Sequence, residues 1–433
     1  MKTRKKLSAN GLFKTVRKWF RGMKDHRSEE AEISLLDTLM SGFAMFSLKD
    51  PSLLAFDKRR EEPKNLHTVY EIGQIPCDTQ MRTILDEVEP ENLRGAYKEV
   101  FRYVQRGKVL AEYRILGGYY LLSLDGTVYF TSKKVHCENC LVKKLRNGEL
   151  LYHHQMLGAA IVHPERKEVI PLMPEPIIKQ DGETKNDCER NAAKRYFEKL
   201  RQDHPHLPLI VTEDALSSNA PHVAELKKHN LRFILGVKES DHAFLFKQVA
   251  KAQAEGRSIQ HEFTRNGITH RFHFVNEVPL NASNPDILVN FLEYWEINDK
   301  GEQYFSWITD FTIERKNVYT IMRAGRARWK IENETFNTLK NQGYQFEHNF
   351  GHGKKHLSVV FALLMMLAFL VDQIQQAACP LFQATLAKLG SKRHLWERMR
   401  ALFFDLDFEC MEDIWRALLF GYKISSFVIL DGT

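Results

Sequence analysis

Near Leu116 the sequence changes its hydrophobic pattern, and that break excludes both an all-helical and an all-β chain. Before it, apolar residues recur at helical spacing; after it comes "GGYYLLSLDGTVYF", strand-like, turning at Asp125–Gly126 and resuming. "MLGAAIVHP" and "KEVIPLMPEPI" supply two further short strands, and "ERNAAKRYFEKLRQ" is helical. "LPLIVTEDALSS" is a strand ending in acids, followed by a helix around "PHVAELKKH" and the strand "RFILGVK". A few antiparallel strands and then helix–strand–helix–strand predict an α/β fold, a mixed sheet with helices on its faces.

At 433 residues the chain exceeds the length over which one hydrophobic core usually grows, so two or three domains are expected. Residues 1–108 read as a helical, basic DNA-binding region. "SEEAEISLLDTLMSGFAMFSLK" is a helix with Ser28 as N-cap, "IPCDTQMRTILDEV" starts near Asp78 or Thr79, and "EPENLRGAYKEVFRYVQR" has Pro90 at its head. Residues 109–240 form the first part of the α/β domain. Residues 241–310 read as a β-rich insertion: "HEFTRNG", "ITHRFHFVNEV", "ILVNFLEYWEIN" and "EQYFSWITDF" are alternating or aromatic-rich and joined by Asn, Gly and Asp turns. Residues 311–377 complete the α/β domain, and 378–433 are helical, one segment spanning about 380–423.

Charge is unevenly spread. Residues 1–27 hold ten Lys or Arg against one acid, so this arm carries +9 while the whole chain is +7. A positive arm on a near-neutral body points to a polyanion. Arg17, Lys18 and Arg21, interleaved with Leu12, Phe13, Val16, Trp19 and Phe20, are the DNA-contacting candidates there. The same composition occurs in membrane-surface helices, but no uninterrupted apolar stretch follows the arm. The apolar run Phe361–Leu370 is short for a bilayer crossing and reads as a buried helix. Six cysteines without a signal peptide fit a reducing compartment. The expectation is a cytoplasmic protein with no membrane partner.

Three acids carry the chemistry. Asp125 follows the strand Tyr119–Leu124, Asp214 follows Leu209–Val211 after Thr212 and Glu213, and Glu332 sits in the helical "RARWKIENETFNTLKNQGY". Ligand sites in α/β sheets collect outside the carboxyl ends of strands. At 100° per residue Trp329, Glu332, Phe336 and Leu339 share one helix face, so the Glu332 carboxylate needs either an ion pair with Arg328 or a cation in a cleft. Trp329 and Phe336 read as core, with base stacking by Trp329 the alternative. Taken singly, Asp125 also reads as a turn residue and Asp214 as a helix N-cap. Glu213 and Glu334 are the nearest competitors, and Asp310 ends a strand within the insertion. Three such carboxylates stand together stably only with cations; Mg²⁺, with Mn²⁺ as substitute, is the natural choice. A pair of ions ~4 Å apart suits phosphodiester cleavage and transfer.

"LSLDGTVYF", "LIVTEDALSSNAPHVAELKKH", "FSWITDF" and "GRARWKIENETFNTLKNQGY" together resemble the DDE transposases of bacterial insertion sequences, in the subgroup with a β-rich insertion and the pattern Y-x2-R-x3-E-x6-K. The resemblance covers roughly residues 116–370. It implies a ribonuclease H-like catalytic domain in which Asp125, Asp214 and Glu332 bind two divalent ions, cut transposon ends and join them to target DNA, with Arg328 as the motif arginine. Double-stranded DNA, both element ends and target, and a homo-oligomeric synaptic complex are the implied partners. The chain departs from the pattern at two places. Gly325 stands at the tyrosine position, and the lysine comes one residue late, at Lys340, a 100° displacement on a helix; Lys330 is a substitute. A nuclease that does not join ends, or a catalytically decayed DNA-binding protein, are the alternatives.

Two further clusters stand out. "HCENC" places Cys137 and Cys140 at C-x2-C spacing with His136 beside them and His153, His154 and His163 downstream. Four ligands make a structural zinc site, and no second C-x2-C exists, so the choice is zinc or plain thiols in a hairpin made basic by Lys133, Lys134, Lys143, Lys144 and Arg146. "EHNFGHGKKH" carries Lys354 and Lys355 as candidate phosphate contacts. "NDCERNAAKR" reads as a helix start with i,i+4 pairing.

Overall fold

The computed structural model describes residues 6–28, 31–60, 64–179 and 188–423. The chain divides into two compact units, Met1–Val109 with Leu339–Thr433, and Leu110–Thr338. Lys2, Arg4, Lys5 and Asp187 lie outside the described residues.

The first unit is helical. Its N-terminal part holds Ala9–Arg21, Leu35–Ser47, Leu53–Arg59, Lys64–Thr68, Asp78–Asp86 and Arg94–Arg106. The second of these begins later than the sequence predicts. Ser34, not Ser28, is its N-cap, its hydroxyl accepting from the Asp37 amide at 3.0 Å. The helix Leu357–Ala378 packs against Leu35–Ser47, where Phe46 meets Phe350 and Phe361 edge-on at 4.9 and 5.8 Å. By length and composition alone it could cross a membrane, but 94% of its most apolar window is buried. The expected single segment 380–423 is instead three helices, Pro380–Leu389, Lys392–Asp405 and Met411–Phe420. Gly390 at φ +79° ends the first, and the Ser391 side chain caps the second.

The second unit is a mixed β-sheet flanked by helices, consistent with a ribonuclease H-like α/β architecture. Its described strands are β1 (Arg114–Ile115), β2 (Tyr119–Ser132), β3 (Leu141–Lys144), β4 (Leu150–Val162), β5 (Ile170–Pro171), β6 (Glu175–Ile177), β7 (Leu209–Glu213), β8 (Arg232–Gly236), β9 (Ile259–Arg265), β10 (Ile268–Asn281), β11 (Asn284–Asn298) and β12 (Gly301–Thr309). They form one sheet in the order β3-β4-β2-β7-β8-β12-β11-β10-β9, with β5 and β6 on β4 and β1 on β2. β2, β7 and β8 run parallel, β4 is antiparallel to β2, and β12 is antiparallel to β8. β2 is continuously buried from Tyr120 to Leu124, as a central strand covered on both faces must be. The aromatic-rich strands after residue 258 therefore extend the sheet directly, because β8 offers an open edge that β12 occupies. Residues 241–258 are not strand: Ala243–Ala254 is a helix.

Candidate active site

β2 and β7 pair in parallel from Tyr120↔Leu209 to Ser123↔Thr212. Two residues further along that register Asp125 is level with Asp214, the first residue past β7. Both line one cavity of about 490 Å³, with Gln155, Glu189, Arg190, Glu213 and His222. Asp214 caps a short turn, its Oδ1 accepting from the Leu216 amide at 3.0 Å. Glu213 is tied down otherwise: Oε2 meets His222 Nε2 at 2.6 Å and Oε1 accepts from Ser217 at 3.2 Å. Burial disfavours the His222 imidazolium, and the Glu213 carboxylate more than offsets it, so the His222 pKa is raised.

Glu332 comes from a stretch that is not one regular α-helix. Val318–Arg326 is followed by a 3₁₀ turn, Ala327–Trp329, and a π-helical turn, Ile331–Phe336. Tight and then loose winding breaks the 100° rule, so Trp329 leaves the predicted apolar face and is 49% exposed, while Phe336 is buried. The turn lies on the sheet because Gly158, opposite Asp125 on β4, has no side chain. A Cβ there would stand 2.6 Å from the Phe336 ring. Gly325 has a similar cause, since a Cβ would meet the Trp307 indole at 2.5 Å and a tyrosine has no room.

Arg328 joins the acids. Its Nη1 donates to Glu332 Oε1 at 2.8 Å and lies 3.7 Å from Asp125 Oδ2, its carbonyl accepts from Ser123 Oγ at 3.0 Å, and its guanidinium stacks on Trp329. Burial pushes the Asp125 carboxyl up to about 7, opposed by Arg328 and reinforced by the Glu332 and Glu189 carboxylates. Asp125, Asp214 and Glu332 do not close into a set with all ligating oxygens within 4.8 Å. Asp125 thus shares a cavity with Asp214 and the Arg328 guanidinium with Glu332.

Sequence reasoning missed Glu189. Instead of an i,i+4 pair it accepts from Gln155 Nε2 at 2.7 Å, and its carboxylate occupies the space beside Gly126. Burial and then Asp214 raise its pKa. No local pattern marks it, since only the fold brings the start of Glu189–Asp203 to β2. Asp310 is absorbed by Arg232 and by the Phe233 amide, which donates to it at 3.1 Å.

The basic candidates are dispersed. Lys330 lines a hollow with Arg265, Arg323, Arg326 and Glu296, in which Arg326 pairs with Glu296 and Arg323 with Glu165 at 2.8 Å, and its Nζ donates to the Arg166 carbonyl at 2.5 Å. Burial lowers its pKa. Lys133 pairs with Glu149 at 2.6 Å, and Lys134 is exposed. In the helical unit, Arg17 is paired with Glu71 at 3.2 Å, while Lys18 and Arg21 are exposed. Lys340 pairs with Glu347 and Lys355 with Glu87, at 2.8 and 2.7 Å, and Lys354 is exposed. Amides of Lys354, Lys355, His356 and Leu357 all donate to Asp86, which caps the following helix; these bonds overcome burial and lower the Asp86 pKa.

No family model matches the sequence, and no curated protein does. Among solved structures the chain is similar to one in the cryo-EM structure of a piggyBac transposase synaptic complex with hairpin DNA, at 11% identity and a TM-score of 0.40, over 96% of this chain and 79% of that one. A likeness so remote carries no argument about activity.

Proposed function

We propose that the chain is a DNA transposase with a ribonuclease H-like catalytic domain, cleaving element ends and joining them to target DNA. The observation that carries this reading is the strand register that brings Asp125 level with Asp214 at the end of β7, with Asp125 and Glu332 both drawn to the same nitrogen of Arg328. The carboxylates of Asp125, Asp214, Glu332 and Glu189 are hard oxygen donors, and the Asp125 carboxyl is raised to about 7 first by burial and then by the neighbouring Glu332 and Glu189 carboxylates, against the opposing Arg328. Asp125, Asp214 and Glu332 would hold Mg²⁺ or Mn²⁺. Such ions would supply the lowered pKa of an attacking water or 3′-hydroxyl and the charge that stabilises the departing oxygen.

The remaining roles belong to the chain's own groups. Arg328 holds the Glu332 carboxylate against Asp125 and keeps the pair from separating. Arg265, in the hollow beside the acid-bearing turn, offers a cation to the DNA backbone, with Arg323 and Arg326 available on exchanging Glu165 and Glu296 for phosphate, and exposed Trp329 offers a face for base stacking. Lys18 and Arg21 add backbone contacts from the helical unit. Joining two ends to one target calls for a homo-oligomer.

The test is incubation of the purified protein with Mg²⁺ or Mn²⁺ and DNA carrying its own gene with generous flanks, mapping ends at nucleotide resolution. Discrete cuts beside inverted repeats plus joined products are expected. Both should fall to background in Asp125→Ala and Glu332→Ala, with DNA binding retained. Cutting without joining would reduce the assignment to a nuclease, and binding without cutting to a DNA-binding protein.

A further inference from the structure

The hairpin that leaves the acid site along β2 brings together three soft donors from separated parts of the sequence. Cys137 and Cys140 flank a tight turn closed by the Cys140 amide donating to the Cys137 carbonyl at 3.2 Å, and β3 starts at the next residue. His154 comes from β4. It is fully buried and packs against Tyr129, where the β2–β4 register slips between Val128 and Phe130. The sulfurs of Cys137 and Cys140 are 3.9 Å apart, and each lies 3.4 Å from His154 Nε2.

We propose that Cys137, Cys140 and His154 bind a zinc ion that pins the β2–β3–β4 hairpin. Zinc bond lengths of ~2.3 Å to sulfur and ~2.0 Å to nitrogen require tetrahedral edges of ~3.8 Å for S···S and ~3.5 Å for S···N, matching the triangle found here. A disulfide needs sulfurs ~2.0 Å apart, so the pair is not bonded. Thiolates are the ligating species. The three donors occupy three corners and leave the fourth to water or another side chain. The ion would hold together the hairpin that displays Lys133, Lys134, Lys143 and Lys144. This site is separate from the carboxylate cluster and does not depend on the proposed transposition chemistry.

The full chain, purified without chelator, is assayed by elemental analysis and zinc X-ray absorption. We expect about one zinc per chain with two sulfurs in its first shell, falling to near none in Cys137→Ser/Cys140→Ser and in His154→Asn. If these variants do not fold, thiol alkylation of the parent protein is decisive. Exposed Cys188 should react at once, while Cys137 and Cys140 should react only after a chelator is added. Absence of stoichiometric metal, zinc retained in the folded variants, a Cys137–Cys140 disulfide in the purified protein, or equal alkylation with and without chelator would each overturn the proposal.

Discussion

At the scale of single residues, buried acids reveal what the fold does with charge. Asp50 is almost wholly buried, with Oδ1 accepting from Arg59 at 2.6 Å, and burial pushes its pKa to about 6 despite Arg59 and Arg400. The folded protein therefore holds this proton more tightly than the unfolded chain, whose carboxyl titrates near 3.8. The Asp50 contribution to stability is complete below that value and is lost as pH rises through about 6. Denaturant midpoints measured from pH 4 to 8 should fall across this interval, and Asp50→Asn should remove that part of the slope. An unchanged slope in the variant would assign the decline to other groups. Asp125 and Glu189 share this kind of environment, but they sit around a cavity beside Asp214, which is why we read them as a site and Asp50 as core.

At the scale of elements, the acid-bearing turn depends on a missing side chain. Phe336 lies over Gly158 directly across β4 from Asp125, so the π-helical turn and β2 meet at one point. Gly158→Ala should push the ring away and cost ~1–3 kcal/mol by overpacking. It should also displace Glu332 and lower metal-dependent cleavage while DNA binding persists. Adding Phe336→Leu should restore part of both losses, and a double-mutant cycle on stability and cleavage measures the coupling. Strictly additive effects would mean that the turn is positioned by something other than this contact.

At the scale of the whole molecule, the helical unit joins both ends of the sequence through a buried charge. Lys49 Nζ meets Asp372 Oδ2 at 2.5 Å, donates to the Ser47 carbonyl at 2.7 Å and lies over the Trp396 and Tyr344 rings, while Tyr344 donates to the same carboxylate at 2.6 Å. Burial lowers the Lys49 pKa, and Asp372 opposes it. Removing one partner strands the other, so Asp372→Leu alone should cost ~3–5 kcal/mol, whereas Lys49→Met/Asp372→Leu should recover much of it. Chemical denaturation checks both. If the single variant is as stable as the double, the pair does not hold Leu357–Ala378 to the N-terminal helices.

The sequence by itself determined what depends on near neighbours. The break near Leu116, the aromatic strands after residue 258, the Pro90 helix start and Asp214 just past β7 are all local, set by side-chain periodicity, turn residues and caps within a few positions. Asp125, expected at a turn after a strand ending at Leu124, instead lies inside β2, which pairing with β4 carries unbroken from Tyr119 to Ser132. Local periodicity also misled where it met tertiary packing. An ideal helix puts Trp329 on a core face, whereas the chain winds through 3₁₀ and π turns there and leaves Trp329 exposed. The tertiary structure alone decided that β12 extends the sheet at β8, that Glu189 joins Asp125 and Asp214, and that His154 rather than neighbouring His136 meets Cys137 and Cys140. Each of these depends on residues far apart in sequence, whose meeting is set by strand register and packed volume, and neither leaves a periodic trace in the chain.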